Sequence, residues 1–173
     1  MNIILIIFSI SLVICFGYIT YIGLKFQVSS ISASYYEFEK QKKGKGILFW
    51  IWSFLVPFSL LPCWLEISDD KYRFVAFLSA VSLLAVGCFP KYKEGDNLKH
   101  TLFTLFCCTL AIIWSILSNF GFIAISFLAF AIFISLSKAK GDFNKLISTN
   151  ILYLCEIAAF SSIYLSIFIK LLC

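Results

Sequence analysis

The sequence predicts an all-α fold, a polytopic transmembrane bundle of six helices forming one integral membrane domain over residues 1–173, with both termini extracytoplasmic. Three observations carry that prediction. Of the residues, 61% are hydrophobic and 13% charged, against about 25% charged in a soluble domain, so too little polar surface exists for water to wet the fold. The apolar residues fall in long runs such as Phe120 to Leu136, apolar on every face, where a barrel strand would alternate. The basic residues fall between those runs, almost entirely on one side of them.

A helix rises about 1.5 Å per residue and needs about 20 residues to cross a hydrocarbon core of about 30 Å. Six runs approach that length: residues 3–24, 47–65, 74–89, 101–117, 122–136 and 146–169. The first has no basic residue ahead of it, no small-x-small closure, and exceeds the 7–15 apolar residues of a signal peptide core. It is therefore expected to be a retained helix; Cys15, preceded by bulky Ile14, makes a poor lipoprotein site.

The second run carries Pro57 and Pro62. Each lacks an N–H and clashes with the carbonyl four residues earlier, so the carbonyls of Ser53 and Phe58 should be freed and the helix should bend. Freed carbonyls in a membrane need protein or water partners. The kink therefore serves either packing or a pocket. Trp50, Trp52 and Trp64, near the ends of this run, read as interfacial anchors. The third and fifth runs are short, reaching about 23 to 24 Å. Ser118-Asn-Phe-Gly121 is a tight-turn cluster that divides the fourth run from the fifth, since one unbroken helix would overshoot the bilayer.

With the amino terminus outside, Lys25, Lys40, Lys42, Lys43, Lys45, Lys91, Lys93, Lys99, Lys138, Lys140 and Lys145 fall on the cytoplasmic side, and only Lys71, Arg73 and Lys170 on the other. This is the positive-inside pattern. The net charge of +5 is therefore a topological signal, and no nucleic-acid partner is expected. The first cytoplasmic loop sets Tyr35 and Tyr36 ahead of Lys40, Lys42, Lys43 and Lys45. These are candidates for binding anionic lipid headgroups, unless the lysines only fix topology.

Glu156 is the one ionisable side chain expected at depth, and Asn150, Tyr153 and Glu156 recur on one face of the sixth run. A charge at a helix centre costs about 2.5 to 3.5 kcal/mol on insertion scales. Glu156 thus reads either as a protonated strut or as a group that handles a proton, a cation or a polar headgroup. His100, the single histidine, opens the fourth run on the same side and is the ionisable neighbour for a relay, if the two helices touch.

Cys15, Cys88, Cys107, Cys108 and Cys155 lie inside apolar runs, where cysteine behaves as a small hydrophobe. Cys63 and Cys173 near the outer face leave room for one bridge. With one histidine and no Cys-x-x-Cys, no metal is expected, and no cofactor. No Gly-x-Ser-x-Gly elbow, His-Glu-x-x-His or P-loop occurs, so no catalytic residue and no enzyme is expected.

Ile31-Ser-Ala-Ser-Tyr-Tyr36 before a basic stretch, then Val86-Gly-Cys-Phe-Pro90 and the helix-opening His100, resemble a group of small membrane proteins of Bacteroides-type gut bacteria and their phages. The Gly-x-Phe-Pro and histidine pattern is also similar to the DRAM/Sfk-like six-helix proteins. The resemblance implies six helices, an inner (cytoplasmic) membrane, and clustering of Ser34, Tyr35, Tyr36, Pro90 and His100 near one face. It implies no activity. The expected function is that of a non-enzymatic structural or interaction protein of the bacterial inner membrane, in contact with lipid, with other membrane proteins or with copies of itself. The alternative is a small transporter, channel or lipid-binding protein with a pocket near Pro57, Pro62 and Glu156.

Overall fold

The computed structural model describes residues 2–95, 97–139 and 151–172. Among these, seven helices follow one another: α1 (Asn2–Phe26), α2 (Ser34–Gln41), α3 (Ile47–Ile67), α4 (Arg73–Cys88), α5 (Asn97–Leu117), α6 (Gly121–Ala139) and α7 (Ile151–Leu172), with a 3-10 turn at Tyr92–Glu94. Five of them, α1, α3, α5, α6 and α7, are long and apolar enough to cross a membrane, while α4 is apolar but has 16 residues. The chain is an integral membrane protein of packed helices. Its outward faces are lined with side chains such as Phe122, Phe130 and Phe133 that only lipid can solvate.

The expected turn between α5 and α6 is present, and its geometry explains the sequence. Asn119 has a φ of 65°, the left-handed region that asparagine tolerates. The Phe120 N–H donates to Ser115 O at 2.7 Å and the Asn119 N–H to Ile116 O at 3.1 Å, a Schellman closure that satisfies the last carbonyls of α5.

Small residues set the helix separations, as they do where no hydrophobic force drives association within lipid. A Cβ on Gly87 of α4 would strike the Ser53 side chain of α3. A Cβ on Gly23 of α1 would strike the Tyr153 hydroxyl of α7, which donates to Ile19 O at 2.6 Å. α6 packs on α7, and small residues are among the buried positions of each: Ala124, Ala131 and Ser135 on α6, and Ala158, Ser162 and Ser166 on α7. Tyr164 of α7 also bonds Ser11 of α1, at 2.7 Å between hydroxyls.

The two ends of the bundle differ. At one end, Arg73 Nε donates to the carbonyls of Leu65 (3.1 Å) and Ser68 (3.3 Å), and Lys170 Nζ donates to that of Ile67 (3.0 Å). Two of the three basic residues on the sparse side of the charge pattern thus satisfy the carboxyl end of α3, where helix carbonyls lack partners.

At the lysine-rich end the structure departs from expectation. The loop after α1 is not a solvated connection. Gln27 takes a φ of 50°, the chain turns back, and Val28, Ile31, Ser32 and Ser34 are all buried. The segment is held as a re-entrant plug because its polar groups find partners inside the bundle. Ser29 O accepts from the Tyr153 N–H at 3.0 Å. Ser34 Oγ donates to Ile31 O at 2.6 Å and receives the Tyr18 hydroxyl at 2.7 Å.

The readings of the tryptophans and of Cys88 also change. Trp52 and Trp64, expected at the interface, are each only 4% exposed; the rotation of α3 turns them inward, and only Trp50 faces outward. Cys63 is buried, pairs with no described cysteine and donates its thiol to Ile4 O at 3.5 Å; Cys173, the other half of the bridge the sequence leaves room for, lies outside the described residues. Cys88, expected inside, is exposed. Asn150, Lys140 and Lys145 also lie outside the described residues.

Candidate intramembrane binding site

Helical periodicity builds a cavity between α3, α4, α5 and α7. On α5 the facing residues are Thr104, Cys107, Cys108 and Ala111, and on α7 Glu156, Ala159, Phe160 and Ile163; both sets fall at i, i+3, i+4 and i+7, one stripe of a helix. The α5 stripe is too small to reach the large residues opposite, Trp52, Leu60 and Trp64 of α3. A void of about 80 Å³ results. Fully enclosed and empty, a cavity of that size would cost about 2 kcal/mol at about 24 cal/mol per Å³. Its walls are apolar, so water has little reason to fill it.

Polar groups gather at the plugged end. Glu156 Oε2 accepts the Ile31 N–H at 2.5 Å; no described residue bonds its Oε1, and Glu156 is the only carboxylate among the described lining residues. His100 Nδ1 lies 2.9 Å from Phe89 O and Nε2 lies 3.0 Å from Ser32 Oγ. A carbonyl can only accept, so Nδ1 carries a proton, and in the neutral ring Nε2 accepts the Ser32 hydroxyl. His100 and Glu156 are thereby joined through the adjacent residues Ser32 and Ile31 of the plug.

Two donors lack partners. The indole nitrogens of Trp52 and Trp64 are buried and make no hydrogen bond to a described residue, and both residues line the cavity. Each unmade bond costs about 1 to 3 kcal/mol. Trp52 stacks on Tyr18 at 5.0 Å and meets Phe160 edge-on at 5.6 Å, which sets it one helical turn from Glu156. Trp64 lies 12 residues further along α3, about 18 Å away, and packs perpendicular to Trp114 at 5.3 Å. The cavity is therefore elongated, with a tryptophan in its wall near each end and a carboxyl-bearing residue at one.

The residues anticipated from sequence distribute as follows. Tyr153 and Glu156 do face into the bundle, and both grip the segment around Ile19 to Ile31. Pro57 lines the cavity, whereas Pro62 points outward. Tyr35 and Tyr36 are half-buried under the basic end, Tyr36 accepting the Lys93 N–H at 2.8 Å. Lys40 pairs with Glu37 at 2.6 Å. Lys42, Lys43 and Lys45 stand exposed on a turn closed by Glu39, whose carboxylate takes the N–H groups of Gly44 and Gly46; those bonds hold it below the usual carboxylate range. Ser32, Trp52, Trp64 and the α5 stripe were not anticipated. The recurrence of small residues at Thr104, Cys107, Cys108 and Ala111 is the signal that could have revealed them.

Comparison with protein-family models, curated proteins and solved structures yields no match.

Proposed function

We propose that this protein holds a single-chain, lipid-like amphiphile inside its helix bundle. The apolar chain occupies the void between α3 and α5, and the head sits at the plugged end, where Glu156 Oε1 receives a donor and the Trp52 indole N–H supplies one to an acceptor. A hydroxyl or amide head meets both demands. The observation that carries this reading is the elongated apolar void ending in Glu156, with unpartnered indoles on residues of its wall. Binding answers two costs at once, the void and the unmade hydrogen bonds, and neither has a role in a purely structural bundle. In this reading the protein is not an enzyme. It crosses a bacterial inner membrane six times, α4 included, with both termini outside and the re-entrant plug at the cytoplasmic face, as the charge pattern and the resemblance to small six-helix membrane proteins suggest.

Tryptophan quenching tests this directly, because two of the four tryptophans line the site. In nanodiscs of the Trp50→Phe variant, a long-chain alcohol brominated in its chain should quench fluorescence saturably, at about one probe per protein. Quenching that only rises linearly with probe in the bilayer would overturn the proposal.

A further inference from the structure

Buried residues cover the two ends of the central cavity. Ile31 and Ser32, 3% and 5% exposed, cover one; Trp64 and Trp114, 4% and 0% exposed, pack across the other. A second cavity of about 60 Å³ lies beside it, between α5, α6 and α7. Four of its lining residues, Cys108, Ala111, Ala159 and Ile163, also line the central cavity. Its other wall includes Ile112, Ile125 and Leu128, which are 39%, 64% and 39% exposed on the lipid-facing surface. The second cavity therefore lies between the bilayer and the first one. The partition between them is built largely of small side chains.

The packing around this seam is uneven. α5 sits chiefly on α4, and α6 chiefly on α7, while α5 touches the α6–α7 pair sparsely. Parting α5 from α6 disturbs few contacts, whereas opening either covered end breaks aromatic packing or a set of buried hydrogen bonds.

We infer that the ligand enters sideways from the bilayer, its acyl chain passing between α5 and the α6–α7 pair through the second cavity, past Ala111 and Ala159. This rests on the binding reading above and narrows it: the ligand is an amphiphile already dissolved in the membrane, and not a solute arriving from water. The chain leads and the head follows to Glu156. Ile125 and Leu128 form the outer lip of the portal, and Ala124, which lines the second cavity and not the first, stands in the passage.

Stopped-flow quenching by the same brominated alcohol, in the Trp50→Phe background, separates passage from binding. Ala124→Phe should slow association and dissociation alike by about tenfold, leaving the equilibrium constant unchanged, because it obstructs the route without touching the site. Leu128→Ala should speed both, and this variant keeps the test intact if Ala124→Phe does not fold. Unchanged rates in both variants would overturn the lateral route while leaving the binding site standing, and so would faster binding only when the plug is loosened by Ile31→Gly. No saturable quenching in the parent protein would overturn the site and the route together.

Discussion

Filling the central void should stabilise the protein and abolish its binding. Ala80 of α4 lines the cavity and is 4% exposed, so Ala80→Leu extends a branched side chain into it. In water such a change would gain about 0.8 kcal/mol per buried methylene. In a bilayer that gain largely disappears, because the leucine of the disassembled helix is already in hydrocarbon. What remains is the cavity cost, about 2 kcal/mol for 80 Å³, of which a leucine recovers about half. The net expectation is about 1 kcal/mol of stabilisation, equivalent to a rise of about 2 to 4 °C in unfolding midpoint for a chain of this length by soluble-domain scaling. Thermal unfolding in bicelles, followed by circular dichroism without ligand, measures it. The same sample should lose saturable quenching by the brominated alcohol. A loss of 1 kcal/mol or more would refute the reasoning, since it would mean that the space beside Ala80 is already filled.

Two other predictions test the frame around the site. Gly87→Ala should destabilise the bundle by about 1 to 3 kcal/mol, because its new Cβ would lie 2.8 Å from Ser53 Cβ; adding Ser53→Gly, which removes both clashing atoms, should restore most of the loss in the same melt. For orientation, Lys43→Cys should react with a membrane-impermeant maleimide in inverted vesicles but not in intact cells, with the exposed Cys88 replaced by serine. Asn119→Cys should show the reverse, and labelling of position 43 from outside would invert the topology.

The apolar runs were legible because lipid leaves a helix no alternative partner for its backbone, so length and hydropathy alone find them. The α5–α6 turn was legible because asparagine tolerates the left-handed conformation that a helix end demands. Facing was not. α3 is apolar all round, so nothing in its sequence says which side turns inward, and tryptophans near its ends resemble interfacial anchors whether they meet headgroups or a cavity. The plug was hidden for another reason. A serine-rich stretch beside lysines reads as wet, and residues elsewhere in the chain, Tyr18, His100, Tyr153 and Glu156, supply the partners that let it lie dry. Glu156 itself was found because an acid in an apolar run is costly wherever it points. That its partner is a backbone amide of the first loop is a fact of tertiary structure.

The bond between Ile31 and Glu156 joins positions 125 apart in the chain, which gives assembly an order. As the protein leaves the ribosome, the segment after the first helix emerges long before the last helix that must receive it, and until then the Ile31 amide has no carboxylate to bond. The first hairpin stays provisional until the carboxy-terminal helix arrives, so a chain interrupted before Ile151 exposes an unlatched amino-terminal loop that quality-control proteases can reach.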